Sequence, residues 1–123
     1  MKNNTESITL FVYGTLKDGF VSHKQFIKNS KFISYDSVEG QMYDLGSYPA
    51  YIKGEGIVNG EVYEMSNYDF EKIKRMEEGA GYETIEITTN EGRKVLIFSY
   101  LNNSIKEHYK LIDTFTRTTL WLV

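Results

Sequence analysis

Apolar and polar positions along this chain follow mostly a strand-like rhythm, and a helical period surfaces in only two or three places. Residues 7–13 run from Ile8 through Phe11-Val12-Tyr13 as a buried strand and stop at Gly14. Residues 21–28 allow a short helix, capped by Ser22, with Phe26 and Ile27 inward. Residues 31–36 and 38–45 read as one long extended stretch, with a break allowed at Gly40. Residues 46–50 read as a loop that holds the single proline, Pro49. Residues 56–65 alternate well. Asn59-Gly60 within them offers a hairpin turn, but the flanking halves are too short to pair, so a continuous strand is expected.

Ser66 followed three residues later by Asp69 resembles a capping box and opens a helix over residues 67–76. Phe70, Ile73 and Met76 share its inner face at helical spacing, and Gly79 and Gly81 end it. Residues 82–89 form a half-buried strand, Asn90-Glu91-Gly92 turns the chain, and residues 94–101 form an apolar strand. Residues 104–114 allow a helix with Ile105, Tyr109 and Ile112 on one face. Leu120-Trp121-Leu122-Val123 reads as a terminal strand or a clamp on the core. With no repeat, linker or low-complexity segment, the pattern predicts one α+β domain over residues 1–123, with a largely antiparallel or barrel-like sheet.

Composition narrows the possibilities. Of 123 residues 41% are hydrophobic, with 10 Tyr and 7 Phe, enough for one core and too many for a disordered chain. The net charge of −3 argues against nucleic acid or an anionic membrane as partner. No apolar run approaches a membrane span and the N-terminal residues are polar, so a cytoplasmic protein is expected. The absence of cysteine removes disulfides, thiol nucleophiles and thiolate metal sites together. His23 and His108 lie far apart without ligand spacing, so a metal site is not expected. The stretch from Gly54 to Gly60 imitates a dinucleotide fingerprint, but its last spacing is one residue too long and it leads into a strand.

Carboxylate chemistry remains. Gly14, at the end of a buried strand, lets the chain turn sharply, which leaves the amides of Thr15 and Leu16 without ladder partners. Such amides can cradle a carboxylate or a developing oxyanion, although strand, glycine turn and loop is also ordinary punctuation. Glu77 and Glu78 stand at the C-terminal end of the predicted helix, where the macrodipole disfavours negative charge. A solvated pair is the plain explanation. If Glu77 instead points into an apolar pocket, desolvation raises its pKa towards what a general acid/base needs near neutral pH. Tyr82 follows the glycines and can place a hydroxyl at the wall of such a pocket.

Four segments, taken in order, resemble the γ-glutamylcyclotransferase-like family. They are Tyr13-Gly14-Thr15-Leu16 with Gly19, Tyr43-Asp44-Leu45-Gly46-Ser47-Tyr48-Pro49-Ala50, Gly60-Glu61-Val62-Tyr63-Glu64, and Glu77 with Gly79 and Tyr82. The family includes γ-glutamylamine cyclotransferases, plant avirulence-induced proteins and an enzyme that unmasks an aminoglycoside antibiotic. The resemblance covers residues 8–101. It implies a small mixed, mostly antiparallel β-barrel flanked by short helices, working without cofactor or metal. It also implies a small-molecule γ-glutamyl substrate held at Tyr13, Gly14, Thr15, Leu16, Tyr48 and Tyr82, with Glu77 as acid/base. The family often shows Leu-Asp-x-x-Glu, and Ile73-Lys74-Arg75-Met76-Glu77 keeps that spacing with Lys74 in place of Asp. A slip of one residue would select Glu78 and put Lys74 at the apolar position, so Glu77 is the assignment. The main rival is a non-catalytic ligand-binding or regulatory protein using the same pocket. A different amide-cleaving reaction with the same base is a third reading. Leaving group and oligomeric state are not encoded in any of these signals.

Overall fold

The computed structural model describes residues 7–13, 29–44, 49–101 and 110–111. Their elements are β1 (Ser7–Val12), β2 (Lys31–Asp44), β3 (Pro49–Ser66), α1 (Asn67–Gly79), β4 (Tyr82–Thr88), β5 (Lys94–Tyr100) and β6 (Lys110–Leu111). The six strands make one sheet in the order β4-β5-β1-β3-β2-β6. Every neighbouring pair is antiparallel except β1 with β5, which run parallel at Leu10–Leu96. This is a curled, mixed, mostly antiparallel sheet, a half-barrel, with one helix against it among the described residues. The expected α+β class holds.

The curl follows from alternation. Side chains of successive strand residues leave opposite faces, so each strand feeds two cores. Phe11, Tyr13, Val38, Met42, Tyr51, Val58, Val62, Val95 and Ile97 fill one of them. Leu10, Val12, Ile52, Tyr63, Met65 and Phe98 fill the other, together with Phe70 and Ile73 of α1. The long β2–β3 hairpin supplies residues to both. Its register shifts between Glu39 and Gln41, where Ile57 opposes Glu39 but Ile52 opposes Gln41. The residues between, Lys53 to Gly56, bulge out and are exposed. Asn59 and Gly60 stay inside the continuous strand, as the alternation predicts. Gly60 is needed where β1 and β3 come together, because a Cβ there would lie 2.6 Å from the Phe11 ring and against the Val12 carbonyl.

Helix α1 begins where the capping pattern places it, with Ser66 Oγ accepting the Asp69 amide at 3.1 Å. It runs three residues beyond the expected end, so Glu77 and Glu78 lie in its last turn. Two other expectations change. Pro49 and Ala50 are strand residues that pair with Asp44 and Tyr43, so the loop assigned to 46–50 ends sooner and β3 begins earlier. Lys110 and Leu111 extend the sheet beside Tyr43 and Asp44 instead of continuing a helix over 104–114. The rest of that span lies outside the described residues. The helix expected at 21–28 and the segment 120–123 lie outside the described residues, as do His23 and His108. No described helix is long and apolar enough to cross a membrane.

The far end of the curl is closed by polar contacts. Asp36, on β2, is buried and takes Arg93 Nη1 at 2.8 Å, while the Asn90 amide donates to the Ser37 carbonyl at 2.8 Å. Burial pushes the Asp36 carboxyl up, but hydrogen bonds from Thr89, the Ser37 amide, Arg93 and the Glu91 amide outweigh it and hold its pKa below the usual value.

Candidate active site

The helix periodicity sorts the two neighbouring glutamates. Seven residues make nearly two turns, so Glu77 projects from the same face as Phe70, with the buried Ile73 one turn earlier. Glu78 lies further round, exposed, with its carboxylate 3.9 Å from Lys74 one turn before it. Glu77 is therefore carried on the apolar stripe that packs on the sheet. Desolvation there raises its pKa from 4.5 to about 7. The turn that follows is fixed by backbone bonds. Ala80 N–H donates to the Glu77 carbonyl at 3.0 Å and Gly81 N–H to the Glu78 carbonyl at 3.2 Å. Gly81 has φ +101, a conformation that costs glycine little, and its carbonyl accepts the Leu101 amide at 3.0 Å. The last turn of α1 is thereby tied to the end of β5.

Tyr13 follows β1 and is buried. Its phenol donates to the Phe98 carbonyl and accepts the Tyr51 amide at 3.1 Å. Its pKa is raised well above the usual value by burial first, then by Tyr82, Glu77 and Tyr51, against the opposing bond from the Tyr51 amide. The structure thus brings Tyr13, Tyr82 and Glu77 into one electrostatic neighbourhood. Tyr82, the first residue of β4, is buried and packs edge-on against Tyr100 with ring centroids 5.0 Å apart. Gly14, Thr15, Leu16 and Tyr48, the other residues expected at the site, lie outside the described residues.

Tyr51 is a member of this group that sequence reasoning passed over. Its ring is tilted against that of Tyr13, with centroids 5.9 Å apart, and burial, then the charge of Glu39, pushes its phenol to about 12. Its hydroxyl points the other way, donating to the Glu39 carbonyl at 2.6 Å. Nothing local distinguishes Tyr51 from the other tyrosines, because its neighbours come from strands 38 and 48 residues away in sequence. The neighbourhood pairs a carboxyl whose pKa desolvation raises to about 7 with the phenols of Tyr13 and Tyr51, whose pKa values burial pushes up. Such a carboxyl can both take and return a proton at physiological pH.

Comparison with known proteins identifies the family. The family model described as "Gamma-glutamyl cyclotransferase, AIG2-like" matches residues 10–119. The chain belongs to this γ-glutamylcyclotransferase family. A Pyrococcus horikoshii protein named "Putative gamma-glutamylcyclotransferase PH0828" is 35% identical over 96 residues, which cover 78% of this chain and 82% of that one. Its crystal structure superposes with a TM-score of 0.67 over 76% of this chain and 77% of that one, at 34% identity. The γ-L-glutamyl-butirosin B γ-glutamyl cyclotransferase of Niallia circulans is 35% identical over 104 residues, 76% of this chain and 66% of the relative. The solution structure of Escherichia coli protein ytfP, 31% identical, covers 87% of this chain and 93% of that protein with a TM-score of 0.67.

Proposed function

We propose that this γ-glutamylcyclotransferase family member cyclises a γ-glutamyl amide to 5-oxoproline and releases the attached amine, with Glu77 as general acid/base. The observation that supports the proposal is the placing of Glu77 on the face of α1 that carries Phe70 and Ile73, half-buried, where desolvation raises its pKa to about 7 and its charge is felt by Tyr13. In the proposed reaction the substrate's own α-amine attacks its γ-carbonyl and closes a five-membered ring. At pH 7 that amine begins as an ammonium. Glu77 accepts one of its protons, and the C–N bond of the new ring forms as the carbonyl becomes a tetrahedral oxyanion. Collapse breaks the bond to the leaving nitrogen, to which Glu77 returns the proton. The ring nitrogen, which still carries two protons after the attack, releases one to solvent, from which the freed amine takes it up as its ammonium. Protons and electrons balance with no cofactor, and a carboxyl that is half-ionised near neutrality suits both transfers.

The remaining roles rest on the family resemblance. Amides of Thr15 and Leu16, following Gly14, would hold the glutamyl group and stabilise the oxyanion, a contribution of about 3 kcal/mol per donor in comparable sites. Holding the flexible glutamyl chain folded back on itself supplies the entropic part of the acceleration. Tyr48 and Tyr82 would wall the pocket. The Niallia circulans relative bears the name of a γ-L-glutamyl substrate, which supports the γ-glutamyl group as the shared feature and leaves the leaving amine to be identified.

The test is mass-spectrometric detection of 5-oxoproline across γ-glutamyl amino acids and γ-glutamyl amines. Glu77→Gln should lose about a hundredfold or more of kcat while still binding substrate, and Glu78→Gln should stay within a few-fold of wild type. Undiminished turnover in Glu77→Gln would remove the assignment, and a larger loss in Glu78→Gln would transfer it. Free glutamate in place of 5-oxoproline would identify hydrolysis. Silence from the folded wild type across the panel would favour a binding role.

A further inference from the structure

The two ends of the turn between α1 and β4 are fixed in different ways. On the strand side, Tyr82 pairs with Tyr100, and Gly81 continues that register by one step, its carbonyl accepting the Leu101 amide at 3.0 Å. Tyr82 is buried and its ring packs edge-on against Tyr100, which pins this end of the turn to β5. On the helix side, Ala80 N–H reaches back to the Glu77 carbonyl and Gly81 N–H to the Glu78 carbonyl. Both bonds span three residues, the tighter spacing that closes a helix end and leaves its last turn little freedom. Glu77 therefore stands four residues from a point fixed on the sheet, with hydrogen-bonded backbone between them.

The join depends on one backbone conformation. Gly81 has φ +101, which residues with a Cβ rarely adopt, and it is there that the chain turns from the helix end into β4. Space is not the constraint, since a Cβ on Gly81 would first meet the Tyr100 ring at 3.4 Å, an ordinary contact. We propose that Gly81 is a positioning residue for Glu77: its left-handed backbone, clasped by the Leu101 amide, sets how deeply the last turn of α1 holds the Glu77 carboxyl against the sheet. The proposal rests on the reading of Glu77 as the base and deepens it. Glu77 is half-buried, so a small tilt of that turn decides how much water reaches its carboxyl. Of the described titratable groups around it, Tyr13, after β1, feels both Glu77 and Tyr82, while Lys74 and Glu78 pair on the outer side of α1. Desolvation is what raises the Glu77 pKa, so admitting water moves it from about 7 back toward 4.5 and makes the carboxylate a weaker base.

The test uses the full chain with Gly81→Ala and, as the matched control, Gly92→Ala. Gly92 lies in the turn at the opposite end of the β4–β5 hairpin, with φ +92 and nothing within 4 Å of a Cβ. The same kind of strain is thus imposed far from Glu77. The Glu77 carboxyl is titrated by carbon NMR of protein carrying isotope-labelled glutamate, its signal assigned by its loss in Glu77→Gln. Thermal melting and 5-oxoproline formation are measured alongside, with kcat and KM taken separately against pH. Both glycine variants should melt about 3–8 °C lower. In Gly81→Ala alone, the Glu77 titration should move down by about one pH unit or more, and the acid limb of kcat should move with it. Its plateau kcat should fall about tenfold with little change in KM. Gly81→Asn, whose side chain tolerates left-handed backbone, should restore most of both. If Gly81→Ala fails to fold, Leu101→Pro removes the N–H of the clasp and should displace the titration in the same direction. A titration that stays at or above the wild-type value in the folded variant, or that falls equally in Gly92→Ala, overturns the proposal and leaves Glu77 standing as base. An inactive wild type removes the base assignment, and this inference with it, whatever the titration shows.

Discussion

Glu77 should make the protein less stable as pH rises, and replacing it by Gln should remove that dependence. In the unfolded chain its pKa is near 4.5, and in the folded chain burial raises it to about 7. Between those values the folded state holds the proton more often than the unfolded state. Stability therefore falls with rising pH across this window, and the loss is complete above pH 7. A difference of about 2.5 pK units corresponds to about 3 kcal/mol. Below pH 4.5 the carboxyl is neutral in both states and the penalty vanishes. Gln has nearly the same shape and never ionises, and any cost of burying its amide is the same at every pH. The decisive quantity is therefore how the stability difference between Glu77→Gln and wild type changes with pH, since titrations elsewhere cancel. Urea unfolding followed by circular dichroism at pH 4.5, 6 and 8 should show Glu77→Gln gaining about 3 kcal/mol on wild type over that range, mostly between pH 5 and 7. A difference that is flat with pH would mean that the carboxyl is solvated in the folded protein. A difference of opposite sign would mean that a cation stabilises it. Both would refute the reasoning that makes it a base near neutrality.

Other perturbations test the frame around the site. Arg93→Ala removes one of several donors to the buried Asp36 carboxylate and should cost about 2 kcal/mol, measured by urea unfolding at pH 7. Because the folded pKa of Asp36 is depressed, its contribution is present above pH 3.8 and disappears as pH falls through the folded value. Gly60→Ala should destabilise by about 1–3 kcal/mol in the same assay, since the new methyl group meets backbone that cannot rotate away; a neutral result would mean that β1 and β3 separate easily.

Most of the strand order in sequence was legible because two-residue alternation survives even in long strands. The single β3 across Asn59-Gly60 was inferred from strand length, and the start of α1 from Ser66 and Asp69. Its true end was less legible, because Gly79 and Gly81 mark a stop without saying how many turns precede it. Sheet order was not readable at all. β1 lies between β3 and β5 because of contacts 49 or more residues apart, and no local signal encodes them. Within the site, the distinction between Glu77 and Glu78 was available in the spacing from Phe70 and Ile73, independent of any family motif. The phenol bridge from Tyr13 to Tyr51 and Phe98 was not, since a strand pattern says which face a tyrosine takes but not which carbonyl its hydroxyl will meet.

The two expectations for Glu77→Gln constrain one another. A half-buried, desolvated carboxyl on an apolar stripe is a local inconsistency, because a neutral side chain of the same size would cost less at pH 8. If the residue served only packing, Glu77→Gln would gain stability above pH 7 and change nothing else. If it served as base from an exposed position, activity would fall without any gain in stability. Only a desolvated carboxyl that handles the proton predicts both effects in one variant, a more stable and less active protein, with the stability gain and the acid limb of the rate profile centred on the same region near pH 7. Measuring both in one preparation therefore separates packing, exposed catalysis and desolvated catalysis more sharply than either assay alone.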